Sequence, residues 1–208
     1  MKCLVIVGSG GHGKVVADAA LQMECWDSIQ FVDLLYPELQ RIGPWNVVAK
    51  NLKDLNELSI LQFVVAVGDN KLRFKLFCEA LDLGFEPAVI IHPRAYVSPY
   101  ANVGKGSVIF ANAVVNIGAD LGFCSIINTA STIDHDCILG KSVHISPGAH
   151  LAGEVQVGDF SWVGIGAVVR QQINIGENVT IGAGASVISN IDDHLVVIGV
   201  PAKPVNYQ

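Results

Sequence analysis

The most regular feature of the chain is a large aliphatic residue at every sixth position: Val97, Val103, Ile109, Val115, Leu121, Ile127, Ile133, Leu139, Ile145, Leu151, Val157, Val163, Val169, Ile175, Ile181 and Val187, sixteen places without an interruption. Four residues after each stands a second, mostly small set that includes Ala101, Ala113, Ala119, Ser125, Ser131, Cys137, Ala149, Ser161, Ala167 and Ala185. Glycine often follows the aliphatic residue directly, as in Val103-Gly104, Leu121-Gly122 and Val157-Gly158. A short fixed period marks a solenoid, in which each unit buries its apolar side only against its neighbours. Six residues suit a β-helix with three short flat strands per coil, the aliphatics filling the axis and the glycines tolerating the corner dihedrals. Sixteen hexads, three to a coil, make about five coils, and stacking at roughly 4.8 Å predicts a prism about 25 Å long.

Before Val97 the period is absent and the pattern alternates between strands and helices. Strands are expected at Lys2–Val7, Ser28–Val32, Gln62–Val67 and Glu86–Ile91, with a short one at Asn46–Val48 inside the Pro- and Gly-containing stretch Leu34–Lys50. Helices are expected at about Lys14–Met23, over Asn51–Leu58, and from Asn70 to about Leu83, the last with an apolar face of Leu72, Leu76, Phe77 and Ala80. Such alternation implies a small, Rossmann-like parallel sheet of about four strands. Ile91-His92-Pro93 is the joint, because proline breaks the sheet pattern, and His92 reads as a linker residue. The expected organisation is an α/β domain at residues 1–92 and an all-β parallel β-helix with a capping tail at residues 93–208.

A net charge of −6, a pI of about 5.4 and the lack of a basic block argue against a nucleic-acid or membrane-surface partner, so an anionic ligand must be held locally. No stretch reaches the ~18 apolar residues of a membrane span, and the apolar run at the N-terminus is too short for a signal peptide, so a cytoplasmic protein is expected. Five cysteines without C-x-x-C spacing indicate neither a disulfide framework nor a zinc knuckle. Cys137 falls on an inward place and Cys124 has no histidine at hexad spacing nearby, so both read as structural.

Two places carry candidate chemistry. Gly8-Ser9-Gly10-Gly11-His12-Gly13 joins the first strand to the first helix, where free N–H groups and the helix dipole favour a phosphate. Asp33 ends the next strand twenty residues after Gly13, and Gly68 falls at the same carboxyl edge. This is the G-x-G-x-x-G pattern with its ribose-binding acid, but the small sheet favours a nucleotide-sugar over a nicotinamide cofactor. In the prism, Ile133 and Cys137 take the inward places around Asp134-His135-Asp136, so His135 points outward or sits at a corner. A flanking carboxylate can fix its tautomer and stabilise the imidazolium formed on proton uptake. One coil of eighteen residues beyond His135 is Gly153, whose N–H would meet an oxyanion developing next to that base. His144 and His150 share a hexad place on successive faces, so a metal held by these and His135, as in a β-helix hydratase of the carbonic anhydrase type, would need a neighbouring subunit. No metal site is expected.

With both halves read, the chain resembles the PglD/NeuD-type sugar acetyltransferases, in particular the branch that N-acetylates UDP-linked 4-amino-4,6-dideoxy sugars for bacterial surface glycans. The resemblance implies a left-handed β-helix, a homotrimer, and acetyl-CoA bound between adjacent prisms. The segment Asn128 to Cys137 is similar to the block that carries the family's general base, with His135 on that position and Asn128 on the substrate side. Asp136 stands where the bacillosamine-pathway enzymes have a glutamate. His144 falls on a residue near the thioester, and Gly153, Ile165 and Ala183 match backbone positions along the cofactor groove. The tail Gly199-Val200-Pro201-Ala202-Lys203 is similar to one that lies near coenzyme A, and it also caps the prism. Gly10, Gly11 and His12 match the phosphate-side loop, Gly68 a glycine of the same pocket, and Asp33 the first of two acids at the uridine end, with Leu34 in place of the second. The implied reaction is direct acetyl transfer to an amino group, with no covalent enzyme intermediate. The alternatives are an O-acetyltransferase of sialic acid or a related sugar, and a non-catalytic nucleotide-sugar-binding protein.

Overall fold

The computed structural model describes residues 2–55 and 61–205. In the N-terminal body the apolar stretches form β1 (Cys3–Val7), β2 (Ser28–Val32), β3 (Arg41–Ile42), β4 (Trp45–Ala49), β5 (Leu61–Val65) and β6 (Glu86–Pro87), in the sheet order β3-β4-β2-β1-β5-β6. All neighbours are parallel except β3 and β4, a hairpin that turns at Gly43 in left-handed backbone, φ +55°. The sheet therefore has six strands rather than about four. β4 contains the short strand expected at Asn46–Val48, and the strand not expected is β3, whose two residues are too few to show a period.

Helix α1 (Gly11–Gln22) starts three residues earlier than the expected Lys14, with Gly10 as its N-cap. The glycines permit this: a side chain at Gly13 would collide with the Gly8 carbonyl oxygen, so the first turn can press onto the end of β1. Helix α2 (Asn70–Asp82) is capped by Asp69, whose carboxylate accepts from Leu72 N at 2.7 Å. Of the helix expected over Asn51–Leu58, Leu52–Asp54 forms a single 3₁₀ turn closed by an Asn51/Asp54 capping box, and 56–58 lie outside the described residues.

The prism is built from two-residue strands on three faces. Seven parallel strands stack on the first face, from Ile90–Ile91 to Val196–Ile198, and Lys203–Pro204 folds back antiparallel on the last. Six stack on the second, from Tyr96–Val97 to Ser186–Val187, and five on the third, from Asn102–Val103 to Asn174–Ile175. The register repeats every coil, Val115 beside Ile133 and Ile133 beside Leu151. The inward residues of the sixfold count form one buried core from Ile109 to Val187.

Two expectations need correction. The strand placed at Glu86–Ile91 is two strands, and Ile90–Ile91 already belongs to the prism, so the period begins at Ile91 behind the proline and the five-coil count started one strand late. The glycines after the aliphatic residues do not serve corner dihedrals: a Cβ on Gly104, Gly122 or Gly158 would lie 2.5 Å from the carbonyl carbon of the glycine one coil on. They are needed for close stacking. The left-handed residue comes two places later and is usually not glycine, as at Asn112, Cys124, Ala130, Asp136, Ser142, Glu154, Phe160 and Gln172.

The first face also receives the N-terminal body. Leu4, Ile6, Val16, Ala17 and Val64 share a core with Ile90, Val108, Phe110 and Ile126. Truncating the fully buried Ile133 to alanine leaves a cavity that the stacked neighbours cannot close, and is expected to cost about 2–5 kcal/mol of unfolding free energy in chemical denaturation.

Candidate active site

At the carboxyl edge of the small sheet, β1 runs through Gly8, φ +101°, into the first turn of α1, which presents unpaired N–H groups. A Cβ on Gly10, Gly11 or Gly68 would meet nothing within 4 Å, so the backbone here is open to a ligand. Asp33 binds the loop across the edge: Oδ2 accepts from Ser9 N at 2.8 Å and Ser9 Oγ at 2.6 Å, and Oδ1 from Leu35 N at 3.0 Å. Burial alone would raise the pKa of this carboxyl, but those hydrogen bonds outweigh it and hold the pKa below its ordinary value. A cavity of about 370 Å³ opens beside it, lined by Gly8, Asp33, Leu34, Lys50, Asn51 and Lys53 among others. His12, in the first turn, packs edge-on against Phe110, and its buried Nε2 is without a partner among the described residues. Burial, and then the Arg73 cation, push its pKa down to about 4.

Arg73, on α2, is 1% exposed and joins the two bodies. Its Nε donates to Cys124 O at 2.9 Å, Nη1 to Val67 O at 3.0 Å and Gly68 O at 3.2 Å, and Nη2 to Asn70 Oδ1 at 2.8 Å and Ser142 O at 2.9 Å. Asn70 Nδ2 donates in turn to Phe160 O at 2.8 Å, and Ser142 Oγ to Asn70 O at 2.7 Å. Desolvation lowers the guanidinium pKa to about 10, which still leaves it charged at neutral pH.

Above this clamp on the first face, His144 stacks on Trp162 with ring centroids 6.0 Å apart. Its Nε2 lies 3.2 Å from Asn128 Nδ2. Asn128 Oδ1 accepts from Thr129 N at 2.9 Å, which orients the amide so that Nδ2 donates to the ring and leaves the imidazole proton on Nδ1. Burial first, then Arg73 and His12, push the His144 pKa down to about 3. A cavity of about 540 Å³ separates His144 and Trp162 from Gly68, Asp69 and Asn70. Ile165 and Ala183 are exposed at the next corner, in adjacent coils, with Gly184 N bonded to Ile165 O at 2.8 Å. Lys203 is exposed in the terminal antiparallel strand.

His135 occupies the corner between the second and third faces. Asp136 holds its Nδ1 at 2.8 Å, and Asp134 Oδ1 accepts both His135 N at 2.8 Å and Asn116 Nδ2 at 2.9 Å. The Asp136 hydrogen bond raises the imidazole pKa, and the His135 and Asn116 donors lower that of Asp134. Gly153, one coil on, lies so close that a methyl group there would overlap His135 Nε2, and Gly118, one coil back, has the same relation to Asp136 Oδ1. Within one chain the structure thus gathers His135, Asp136 and Gly153 at one corner. It gathers His12, Gly68, Asn128 and His144 along the first face, with Ile165 and Ala183 at that face's far corner. Cys124 and Cys137 are buried with thiol pKa values raised to about 12 and about 11, and stay protonated.

Residues 3–80 match the family model described as the PglD N-terminal domain. The acetyltransferase domain of PglB from Neisseria gonorrhoeae FA1090, solved in complex with acetyl coenzyme A, is 43% identical with a TM-score of 0.94, covering 98% of this chain and 99% of that one. This chain belongs to the PglD-type sugar acetyltransferases. PerB from Caulobacter crescentus, solved with CoA and GDP-perosamine, is 36% identical with a TM-score of 0.93 over 99% of this chain and 98% of that one. UDP-N-acetylbacillosamine N-acetyltransferase of Bacillus subtilis is 36% identical over 114 residues, 53% of this chain and 52% of that protein. The fold is accordingly the left-handed parallel β-helix of this acetyltransferase family, preceded by its small α/β sheet. Among the described residues no helix is long and apolar enough to cross a membrane.

Sequence reasoning missed Arg73, Asn70 and Trp162. The first two share a helix turn at the start of α2, and the only signal was an arginine at i+3 on the turn that faces the prism. His12 and His144 remain neutral in the folded acetyltransferase well below pH 6.5, where unfolded histidines take up protons. The unfolded state therefore binds more protons in that range, and stability is expected to fall as pH drops from about 6.5 toward 4. Thermal melts across this range should show the loss, with a shallower slope for His144→Asn.

Proposed function

We propose that this acetyltransferase moves the acetyl group of acetyl-CoA to the amino group of a UDP-linked 4-amino-4,6-dideoxy sugar, with His135 as general base. The observation that carries this reading is the pairing of His135 Nδ1 with Asp136 at 2.8 Å while Nε2 faces Gly153. With Nδ1–H donated to the carboxylate, Nε2 keeps its lone pair for an incoming amine. The amine nitrogen attacks the thioester carbonyl carbon and Nε2 accepts its proton. Asp136 supports the imidazolium, and the Gly153 N–H takes the oxyanion. Collapse of the tetrahedral intermediate breaks the C–S bond, and the imidazolium returns the proton to the leaving thiolate. The sugar diphosphate sits on the first turn of α1 at Gly10, Gly11 and His12, and the base occupies the cavity beside Asp33 and Leu34. Acetyl-CoA runs along Ile165 and Ala183 toward Lys203, with its thioester near His144.

His135 and Gly153 lie at a different corner from Asn128, Ile165 and Ala183 and away from the first face that carries His144, so a site using all of them is completed by a neighbouring prism in a homotrimer. The reaction belongs in the cytoplasm, where acetyl-CoA is supplied. A GDP-linked amino sugar is the second reading, favoured by the match to PerB across nearly the whole chain.

A thiol-release assay with acetyl-CoA and a panel of UDP- and GDP-linked amino and hydroxy sugars tests both readings. Release with the hydroxy sugars alone would replace N- by O-acetylation. His135→Ala is expected to lower kcat about 10²–10⁴-fold, and a loss within about threefold would remove His135 as the base. The raised His135 pKa places the acid limb of kcat/KM above the ordinary histidine value, with activity rising as pH increases through it. Asp136→Asn should move that limb to lower pH and depress the plateau, read from a pH–rate profile.

A further inference from the structure

We propose that Arg73 is a positioning residue for the acceptor: it locks the Val67–Asn70 loop to the prism and sets a buried positive charge beside the cleft between the two bodies. The inference rests on the functional reading above and deepens it.

Arg73 has five acceptors, and none is a carboxylate: the carbonyls of Val67, Gly68, Cys124 and Ser142 and the side-chain oxygen of Asn70. Asp69, the carboxylate next to this network, is exposed and caps Leu72 N. Among the described residues no carboxylate is bonded to the guanidinium and Asp69 acts on it only through its field; a buried cation held this way is costly to keep, and an apolar side chain of similar volume would serve packing better. Packing is already supplied. Phe77 stacks on Phe123 at 6.1 Å, Phe74 meets Phe160 at 5.7 Å, and β1 and α1 share a core with the first face. What apolar packing cannot supply is a fixed loop and a fixed charge. Gly68, held through its carbonyl, has an open side and lines the cavity with His144. Ser142, whose carbonyl the same guanidinium binds, lies two residues before His144. One planar fork therefore sets the distance between the nucleotide-side loop and the prism strand that carries His144. Its charge is felt at both His12, in the first turn of α1, and His144, on the first face of the prism. An acceptor diphosphate at the α1 N-terminus would add counter-charge to that of Asp69.

The test is steady-state kinetics of Arg73→Met and Arg73→Lys with the acceptor and acetyl-CoA varied separately, beside thermal melts. For the methionine variant we expect an acceptor KM raised at least about tenfold with the acetyl-CoA KM within about twofold of wild type. Lysine should recover part of the loss, since it restores charge without the fork. A folded methionine variant with both KM values unchanged, or with both raised in parallel, overturns the proposal. If that variant does not fold, Arg73→Lys decides, because it keeps the charge but loses the fork that ties Val67, Gly68 and Ser142 together. A several-fold rise in acceptor KM alone then supports the proposal, and an unchanged value overturns it. A wild-type protein without transfer would remove the functional reading and this proposal with it, whereas an active wild type with indifferent variants removes this proposal alone.

Discussion

The constraint beneath the whole prism is the closeness of one coil to the next. Gly104, Gly122 and Gly158 have carbonyl groups of the following coil where a side chain would stand, so successive corners nest with no slack. Nesting forces each coil to repeat its predecessor, and inward aliphatics then fall on inward aliphatics from Ile109 to Val187. The same repetition places His135 on Gly153. A side chain on the prism surface has few neighbours of its own, and this imidazole is held by an adjacent carboxylate on one edge and a rung of backbone against the other.

The second body is joined to this scaffold in two ways that do different things. An apolar core shared by Leu4, Ile6, Ile90, Val108 and Phe110 brings the sheet and the first face together without specifying a detailed alignment. The polar clamp of Arg73, Asn70 and Ser142 specifies it, because its bonds to Cys124 O, Ser142 O and Phe160 O and that from Ser142 Oγ to Asn70 O each require a particular atom of the other body. Burial, and then the field of Arg73, keep His12 and His144 neutral, while His135, bonded to Asp136 and near Asp134 and Glu154, is more basic than an ordinary histidine. One molecule thus holds two kinds of imidazole, suited to hydrogen bonding and to proton uptake respectively.

Much of this was legible in the sequence because a solenoid writes its geometry as a period. The three faces, the inward places and the neighbourhood of His135 and Gly153 all follow from counting. What escaped counting was local or long-range. Ile91 keeps the period but stands before Pro93, which looks like a boundary. Within Leu34 to Lys50 the strand at Asn46–Val48 is legible as part of β4, but its hairpin partner β3 has two residues and shows no alternation. Arg73 reads as one more charged residue on an amphipathic helix, since nothing local shows that its acceptors are 51 and 69 residues away. The coil-to-coil glycines are plain in the sequence but their reason is not, because a corner dihedral and a close backbone approach both select the same residue.

A scaffold whose side-chain neighbours are set by arithmetic is unforgiving of changes in length. Val115, Ile133 and Leu151 lie side by side only because each is one coil from the last. Removing a single hexad between them would leave every inward residue inward but hand each downstream face to the wrong side, carrying His144 away from the cavity it shares with Gly68 and Asn70. Descent with insertion or deletion in this half of the molecule must therefore proceed by whole coils, or by loops extruded at the corners.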